Sequence, residues 1–190
     1  MLMKRDSKSL FLILRVHIIY SEYIYRQVYG TKVKSMNRIE KVREAVDEML
    51  LNMTDAEARR CPYLHLYGVS QACALLALKR KENVELATIA GMLHDIYSYS
   101  KMDSQDHAHK GAQMARDILD SLSIFSEAEK DVICTAIYNH SDKAIVHDSL
   151  DEILKDADVM QHVLYNPLFE IKQNEQERFD ALAEELGLEG

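Results

Sequence analysis

The stretch ELATIAGMLHDIYSYS, residues 85–100, begins like a buried helix and ends in two polar residues. His94 and Asp95 stand at the end of its apolar face, and such groups cost several kcal/mol to bury without partners. The stretch therefore predicts a core helix that ends in a His-Asp pair, and it predicts that this pair binds a partner inside the protein. The apolar residues that recur at helical spacing on this face are Leu86, Ile89, Ala90, Leu93 and Ile96.

The composition favours a single all-helical domain. The chain has 190 residues with only 6 glycines and 2 prolines, too few turn residues for a β-sandwich or barrel. Its net charge of -8 argues against a nucleic acid as a general partner, because domains that bind the phosphate backbone carry excess Lys and Arg. The 3 cysteines form no CxxC pair, which fits a reducing cytoplasm better than a disulfide scaffold.

Residues 1–35 differ from the rest of the chain in charge. They hold seven basic and two acidic residues, a net of +5, which leaves -13 on the remainder. The apolar run LFLILRVHIIY, residues 10–20, is interrupted by Arg15 and His17 and is shorter than the roughly 18 residues that span a bilayer. We therefore expect no transmembrane segment, a basic extension over 1–35 and the functional domain over 36–190. The alternative for the extension is a basic amphipathic helix lying on an anionic membrane or a partner.

Helix-start signals divide the predicted domain into segments. Asn83 is the expected N-cap of the helix that ends near His94 and Asp95. The tetrapeptides TDAE, SEAE and SLDE, which begin at Thr54, Ser126 and Ser149, have the pattern of capping boxes. The polar stretch SYSKMDSQ, residues 98–105, is expected to be a loop. Apolar periodicity predicts further helices over about 38–51, 62–81, 105–122, 127–140, 149–164 and 174–186.

Five polar positions after residue 60 share one setting. Each is a side chain able to bind a metal, and most lie at the edge of an otherwise apolar helix. A helical bundle can bring such residues together in its interior. A divalent cation would supply the partners that burial removes. In chain order the positions are His65, the pair His94–Asp95, His107, His140 and Asp158.

In this pattern the chain is similar to the HD superfamily of metal-dependent phosphohydrolases. That superfamily has a histidine, an adjacent His-Asp pair and a distant aspartate on a helical core. The matching positions here are His65, the pair in AGMLHDI and the second aspartate of KDADVM, over about residues 60–165. The resemblance implies a single-domain all-α bundle of the HD/phosphodiesterase type with a metal site between helices. It assigns the metal ligands to His65, His94, Asp95 and Asp158.

The phrases DHAHKGA and AIYNHSDK extend the resemblance to superfamily members with two metals. There, histidines in comparable phrases complete a second metal position, which implies His107 and His140 as further ligands. His109 competes with His107, and both predicted ligands could instead contact substrate phosphate or line the cleft over a single metal. The donor set suits one or two ions of Mn, Fe, Co or Zn.

The remaining candidates near these motifs have simpler interpretations. Asp156 is expected to be a solvated acid on the helix of Asp158. His17 and His147 are expected to be ordinary surface or core residues. His162, four residues after Asp158, is treated in the same way, with support of a ligand as its alternative role.

The resemblance implies a cytoplasmic metal-dependent hydrolase of phosphoester or phosphoanhydride bonds. Its substrate would be a small phosphorylated metabolite, most plausibly a nucleotide or dinucleotide. Asp95, which bridges both ions in two-metal relatives, and His94 are the expected catalytic residues. Lys143 and Lys110 are candidates for binding the phosphate, although each could be a solvated surface residue.

Two other classes of function stay open at this point. Some relatives with the same histidines and aspartates hold two irons and activate oxygen, so a di-iron oxygenase is one alternative. A non-catalytic regulatory module stabilised by metal is the other. Phosphate-binding loops, GxSxG and HExxH are absent from the sequence, and its oligomeric state cannot be inferred.

Overall fold

The computed structural model describes residues 37–188, and every regular element in that range is a helix. This confirms the predicted all-α fold class. No helix in this range is long and apolar enough to cross a membrane. The run at 10–20 and the predicted boundary at 35/36 lie outside the described residues. The helices are α1 (Arg38–Leu51), α2 (Arg60–Arg80), α3 (Val84–Leu93), α4 (Ile96–Lys101), α5 (His107–Leu122), α6 (Glu127–Asn139), α7 (Ser149–Tyr165) and α8 (Gln176–Leu186).

Helix α3 lies at the centre of the bundle, as its apolar sequence predicts. Every residue from Leu86 to Leu93 is buried, and α1, α2, α6 and α7 all contact the helix. Side chains such as Ile89 are fully buried, which contributes about 1.5–3 kcal/mol each to stability. Because α3 is covered on several sides, the His-Asp pair at its end lies inside the protein.

Two glycines let neighbouring helices approach this centre closely. A Cβ added at Gly91 would lie 2.7 Å from Cα of Ser70 on α2, a separation that real Cβ atoms do not reach. A Cβ at Gly111 on α5 would lie 3.0 Å from the carbonyl oxygen of His94. Small residues at these two contacts bring α2 and α5 against the end of α3.

The predicted helix starts are partly confirmed. Asn83 Oδ1 accepts a hydrogen bond from the backbone N–H of Leu86 at 3.1 Å, as expected of an N-cap. Ser126 and Glu129 form the complete capping box at the start of α6. Both signals depend only on a few consecutive residues, so the local sequence is sufficient to identify them.

Three local predictions are wrong. In SLDE the N-cap is Asp148, and Glu152 accepts the backbone N–H of His147 instead of returning to Ser149. In TDAE, Asp55 accepts from the next backbone amides in a turn before α2. Part of the stretch 98–105 is helical, because buried Ile96 anchors α4 through Lys101.

We expect Gly91→Ala to destabilise the protein by about 1–3 kcal/mol, since the new methyl group forces α2 and α3 apart. The measurement is chemical denaturation followed by circular dichroism. Gly68→Ala is the comparison, and a smaller loss is expected there because its methyl group displaces only the Gln161 side chain and no backbone. Equal stability of Gly91→Ala and the wild type would contradict the close approach of the two helices.

Candidate metal centre

Five helix regions deliver the predicted ligands to one end of α3. His65 lies in the second turn of α2, and the pair His94–Asp95 forms the break between α3 and α4. His107 is the first residue of α5, and His140 directly follows α6. Asp158 lies in the middle of α7. All six side chains meet in a single polar cluster at the end of the apolar core, with His107 partly exposed.

The break between α3 and α4 lets the side chains of His94 and Asp95 face the same centre. Adjacent residues of a continuous helix point about 100° apart, which would turn one of the two side chains away. At Asp95 the backbone leaves the helical region, with φ -112° and ψ 12°. His94 Nε2 and Asp95 Oδ2 then lie 3.7 Å apart and face the same centre.

The first group of donor atoms surrounds His65 Nε2. This nitrogen lies 3.0 Å from His94 Nε2, 3.4 Å from Asp158 Oδ1 and 3.5 Å from Asp95 Oδ2. His94 Nε2 is also 3.7 Å from Asp158 Oδ1. The donor atoms of His65, His94 and Asp95 are close enough together to hold one cation, and Asp158 forms a second such group with His65 and His162.

The second group surrounds the other oxygen of Asp95. Its Oδ1 lies 3.4 Å from His107 Nε2 and 3.5 Å from His140 Nε2. His109 does not take part, because its Nδ1 lies 2.7 Å from Asp106 Oδ1 and its ring stacks on Tyr138. The two oxygens of Asp95 thus face two separate groups of imidazoles.

The hydrogen bonds of the four imidazoles set which ring nitrogen is free. Each Nδ1 lies against a carbonyl oxygen, which can only accept, so each Nδ1 carries the proton. In a neutral ring the Nε2 lone pair is then unprotonated and points into the cluster. The carbonyl partners of His65, His94, His107 and His140 are Gln161 Oε1 at 2.6 Å, Gly91 at 2.9 Å, Ser104 at 3.1 Å and Ile137 at 2.6 Å.

The cluster contains buried polar atoms that the protein itself leaves unsatisfied. Asp95 Oδ1 and Asp158 Oδ1 are buried without a hydrogen-bond partner, and the neighbouring imidazole nitrogens are too distant or misaligned to donate. A divalent cation would satisfy both oxygens together with the Nε2 lone pairs. The residues therefore fit a metal, and a set of imidazole and carboxylate donors suits Mn, Fe, Co or Zn.

The electrostatics of the cluster keep both carboxylates ionised. Burial alone would raise the pKa of Asp95, but His94 and His140 outweigh it and hold the pKa well below its usual range. Burial acts on the pKa of Asp158 in the same way and is outweighed by Lys143 and His94. Both residues are therefore anionic at neutral pH, the form that binds a cation.

The structure places the two lysines proposed for phosphate binding against carboxylates. Lys143 Nζ donates to Asp158 Oδ2 at 2.6 Å, and both side chains are buried. Lys110 Nζ donates to Asp103 Oδ2 at 3.0 Å and is partly exposed. A role of either lysine in binding phosphate stays a prediction.

The expectation for Asp156 is wrong. Its carboxylate is buried, and it pairs with Arg80 at 2.6 Å and with Arg178 at 2.7 Å. Arg178 approaches from α8, so no local pattern in the sequence could reveal this contact. His147 contacts buried Lys155 at 2.6 Å and belongs to none of the metal-competent groups among the described residues.

The sequence interpretation gave His162 at most a supporting role, whereas the structure places it beside the cluster. Its Nε2 lies 3.4 Å from Asp158 Oδ1, and its ring stacks on His65 with centroids 5.3 Å apart. The spacing of four residues from Asp158 on one helix was the available signal. Beside His65 and His162 a cleft of about 300 Å³ opens, lined by Tyr99, Phe169 and Lys172 among others.

The fold and site define an all-helical protein with a histidine–aspartate cluster at the centre of its bundle. A family model, the HD domain, matches residues 63–162, a little more than half of the chain. The chain belongs to the HD domain family, which confirms the resemblance drawn from its motifs. No curated protein and no solved structure matches the chain.

Acid is expected to weaken metal binding at this centre. Burial lowers the pKa of His65, but Asp95 and Asp158 outweigh it, so the pKa lies above the ordinary 6.5 and a cation must displace a proton. As the pH is lowered, affinity for Mn²⁺ should therefore begin to fall while the pH is still above 6.5, and then drop about tenfold per pH unit. Calorimetric titration over a pH series measures this dependence, and a constant affinity on both sides of that pH would contradict it.

Proposed function

We propose that the protein is a metal-dependent phosphohydrolase. It hydrolyses a phosphoester or phosphoanhydride bond in a small phosphorylated metabolite, a nucleotide or dinucleotide. The observation that carries the proposal is the pair of buried, unsatisfied carboxylate oxygens on Asp95 and Asp158, faced by imidazoles whose Nδ1 atoms are all occupied. Membership of the HD domain family supports the same reaction class.

Two cations are proposed, because two groups of donors share Asp95. His65, His94 and Asp158 would hold one cation together with Asp95 Oδ2. His107 and His140 would hold the other together with Asp95 Oδ1. Bound there, a divalent cation lowers the pKa of its water ligand toward neutrality and polarises phosphoryl oxygens.

The protein's own groups orient the centre. Gln161 accepts from His65 Nδ1 and the carbonyl of Gly91 accepts from His94 Nδ1, so both rings keep Nε2 directed inward. Lys143 neutralises the outer oxygen of Asp158. We retain Lys143 and Lys110 as the candidates for binding substrate phosphate, with partly exposed Lys110 the more accessible of the two.

The cleft beside His65 supports a small substrate. Its volume of about 300 Å³ is at the lower end of the range for small-molecule sites. Tyr99 and Phe169 in its lining offer aromatic faces on which a base could stack. A nucleotide fits these features, with its phosphate toward the imidazoles.

We also propose that the protein works in the cytoplasm. All three of its cysteines are free thiols, which is usual in a reducing compartment. Cys73 is fully buried, and burial raises the pKa of its thiol well above the ordinary value. A buried thiol of this kind is unreactive, so Cys73 is assigned a structural role. The proposed reaction takes place at the histidine–aspartate cluster.

Asp95→Ala is expected to lower phosphatase activity more than about 100-fold. Changing a residue that only orients a metal ligand costs up to about 100-fold, and loss of a ligand itself should cost more. The reason is that both donor groups lose a shared carboxylate. Release of inorganic phosphate from a panel of nucleotides measures the activity, and circular dichroism verifies the fold. Asp131→Ala, which removes an exposed carboxylate paired with Arg116, is the matched control. Unchanged turnover in Asp95→Ala would contradict the proposal.

Elemental analysis of protein purified without oxygen is expected to find two metal ions per chain. His107→Ala and His140→Ala should each reduce the content toward one, because the second group loses a donor. A content of one in the wild type would contradict the two-ion proposal. Two irons, with oxygen consumed and no phosphate released, would overturn hydrolysis in favour of the oxygenase.

A further inference from the structure

His162 has both ring nitrogens committed to carboxylates. Its Nδ1 lies 3.2 Å from each oxygen of Glu175, and its Nε2 lies 3.4 Å from Asp158 Oδ1. Since a carboxylate only accepts, Nδ1 carries the proton and donates it to Glu175. In the neutral ring Nε2 is then an unprotonated lone pair aimed at Asp158. Nε2 and the carboxylate oxygen attract each other only if a proton or a metal ion lies between them, and Asp158 Oδ1 accepts no hydrogen bond from this nitrogen.

The oxygen that His162 faces is one of the two unsatisfied oxygens of the cluster. Asp158 Oδ1 is buried without a hydrogen-bond partner, although nitrogens of His65, His94 and His162 lie within 3.4–3.7 Å of it. His65, Asp158 and His162 alone place three donor atoms close enough to hold a metal ion. His162 therefore meets the same geometric condition as the ligands already assigned.

Glu175, the partner of His162 Nδ1, is held in place by burial and by a second contact. It is almost fully buried, and it precedes α8 as its N-terminal flanking residue. Lys172 Nζ donates to it at 3.1 Å. Burying the Glu175 carboxylate costs free energy, which its contacts with His162 and Lys172 offset. Carboxylate–histidine pairs of this kind commonly orient metal ligands.

We propose that His162 is an additional ligand of the cation held by His65, His94, Asp95 and Asp158, and that Glu175 is the residue that positions it. This inference rests on the metal centre of the proposed function. Glu175 lies beyond the residues that match the HD domain, so its contribution comes from the C-terminal part of this chain. The contact between Glu175 and His162 connects the residues before α8 to the proposed metal centre, and both residues line the cleft.

The test uses the full-length protein with its metal removed and Co²⁺ added as the probe. Proton NMR in water shows strongly shifted N–H signals from imidazoles bound to Co²⁺ through Nε2 and protonated at Nδ1. His162→Phe keeps a ring to stack on His65 and should remove one such signal. His109→Phe, which loses an exposed histidine that also pairs with a carboxylate and stacks on a ring, should keep them all.

Affinity for Co²⁺ is the second readout. Glu175→Gln should lower the affinity about 10- to 100-fold, the usual effect of removing a partner of a metal ligand. His162→Phe should lower it further. Circular dichroism verifies the fold of each variant, and the milder Glu175→Gln decides the question if His162→Phe does not fold.

The outcomes separate this inference from the proposed function. If the wild type binds no Co²⁺, both proposals fail. If it binds Co²⁺ and His162→Phe keeps every shifted signal and the same affinity, only this inference is overturned. A loss of turnover alone, with those signals unchanged, would also overturn it, since His162 would then act on substrate or support Asp158.

Discussion

Two carboxylate oxygens in the core, Oδ1 of Asp95 and of Asp158, have no hydrogen-bond donor, and much of the structure serves to hold them there. A buried carboxylate oxygen without a donor is destabilising. The protein surrounds them with imidazoles whose Nδ1 atoms are bonded to carbonyl oxygens, which leaves Nε2 available to a cation. A divalent cation would satisfy both oxygens, and its binding would then stabilise the folded bundle.

The elements around these oxygens are arranged to keep them in place. Helix α3 is buried along its length, so the break that follows it puts Asp95 in the interior. Gly68 leaves room for Gln161, which in turn orients His65, since a Cβ there would lie 2.8 Å from Gln161 Cγ. Arg178 from α8 donates to the carbonyl of Lys143, whose ammonium group pairs with Asp158. The C-terminal helix thereby supports the centre from outside the family match.

Local patterns predicted most of the helices and most of the cluster. The periodicity of residues 85–96 identified the central helix, and Asn83 and Ser126 identified two helix starts that the structure confirms. Positions of the histidines and aspartates in chain order indicated which side chains meet. Local patterns failed where a contact with a distant part of the chain determines the structure. Asp156 is buried by Arg178 from α8, and α4 extends into an expected loop because Ile96 is buried.

The sequence by itself determined the helical class and the central apolar helix, because these depend on spacing within one helix. The residue types of the candidate metal centre followed from the order of histidines and aspartates along the chain, which resembles that of the family. Only the tertiary structure decided that His107 and not His109 faces Asp95, since the two lie on different sides of α5. It also decided that His162 joins the cluster. Asp158 lies one turn away from His162 on the same helix, but Glu175 lies thirteen residues further along the chain, and only tertiary packing brings it to the other ring nitrogen.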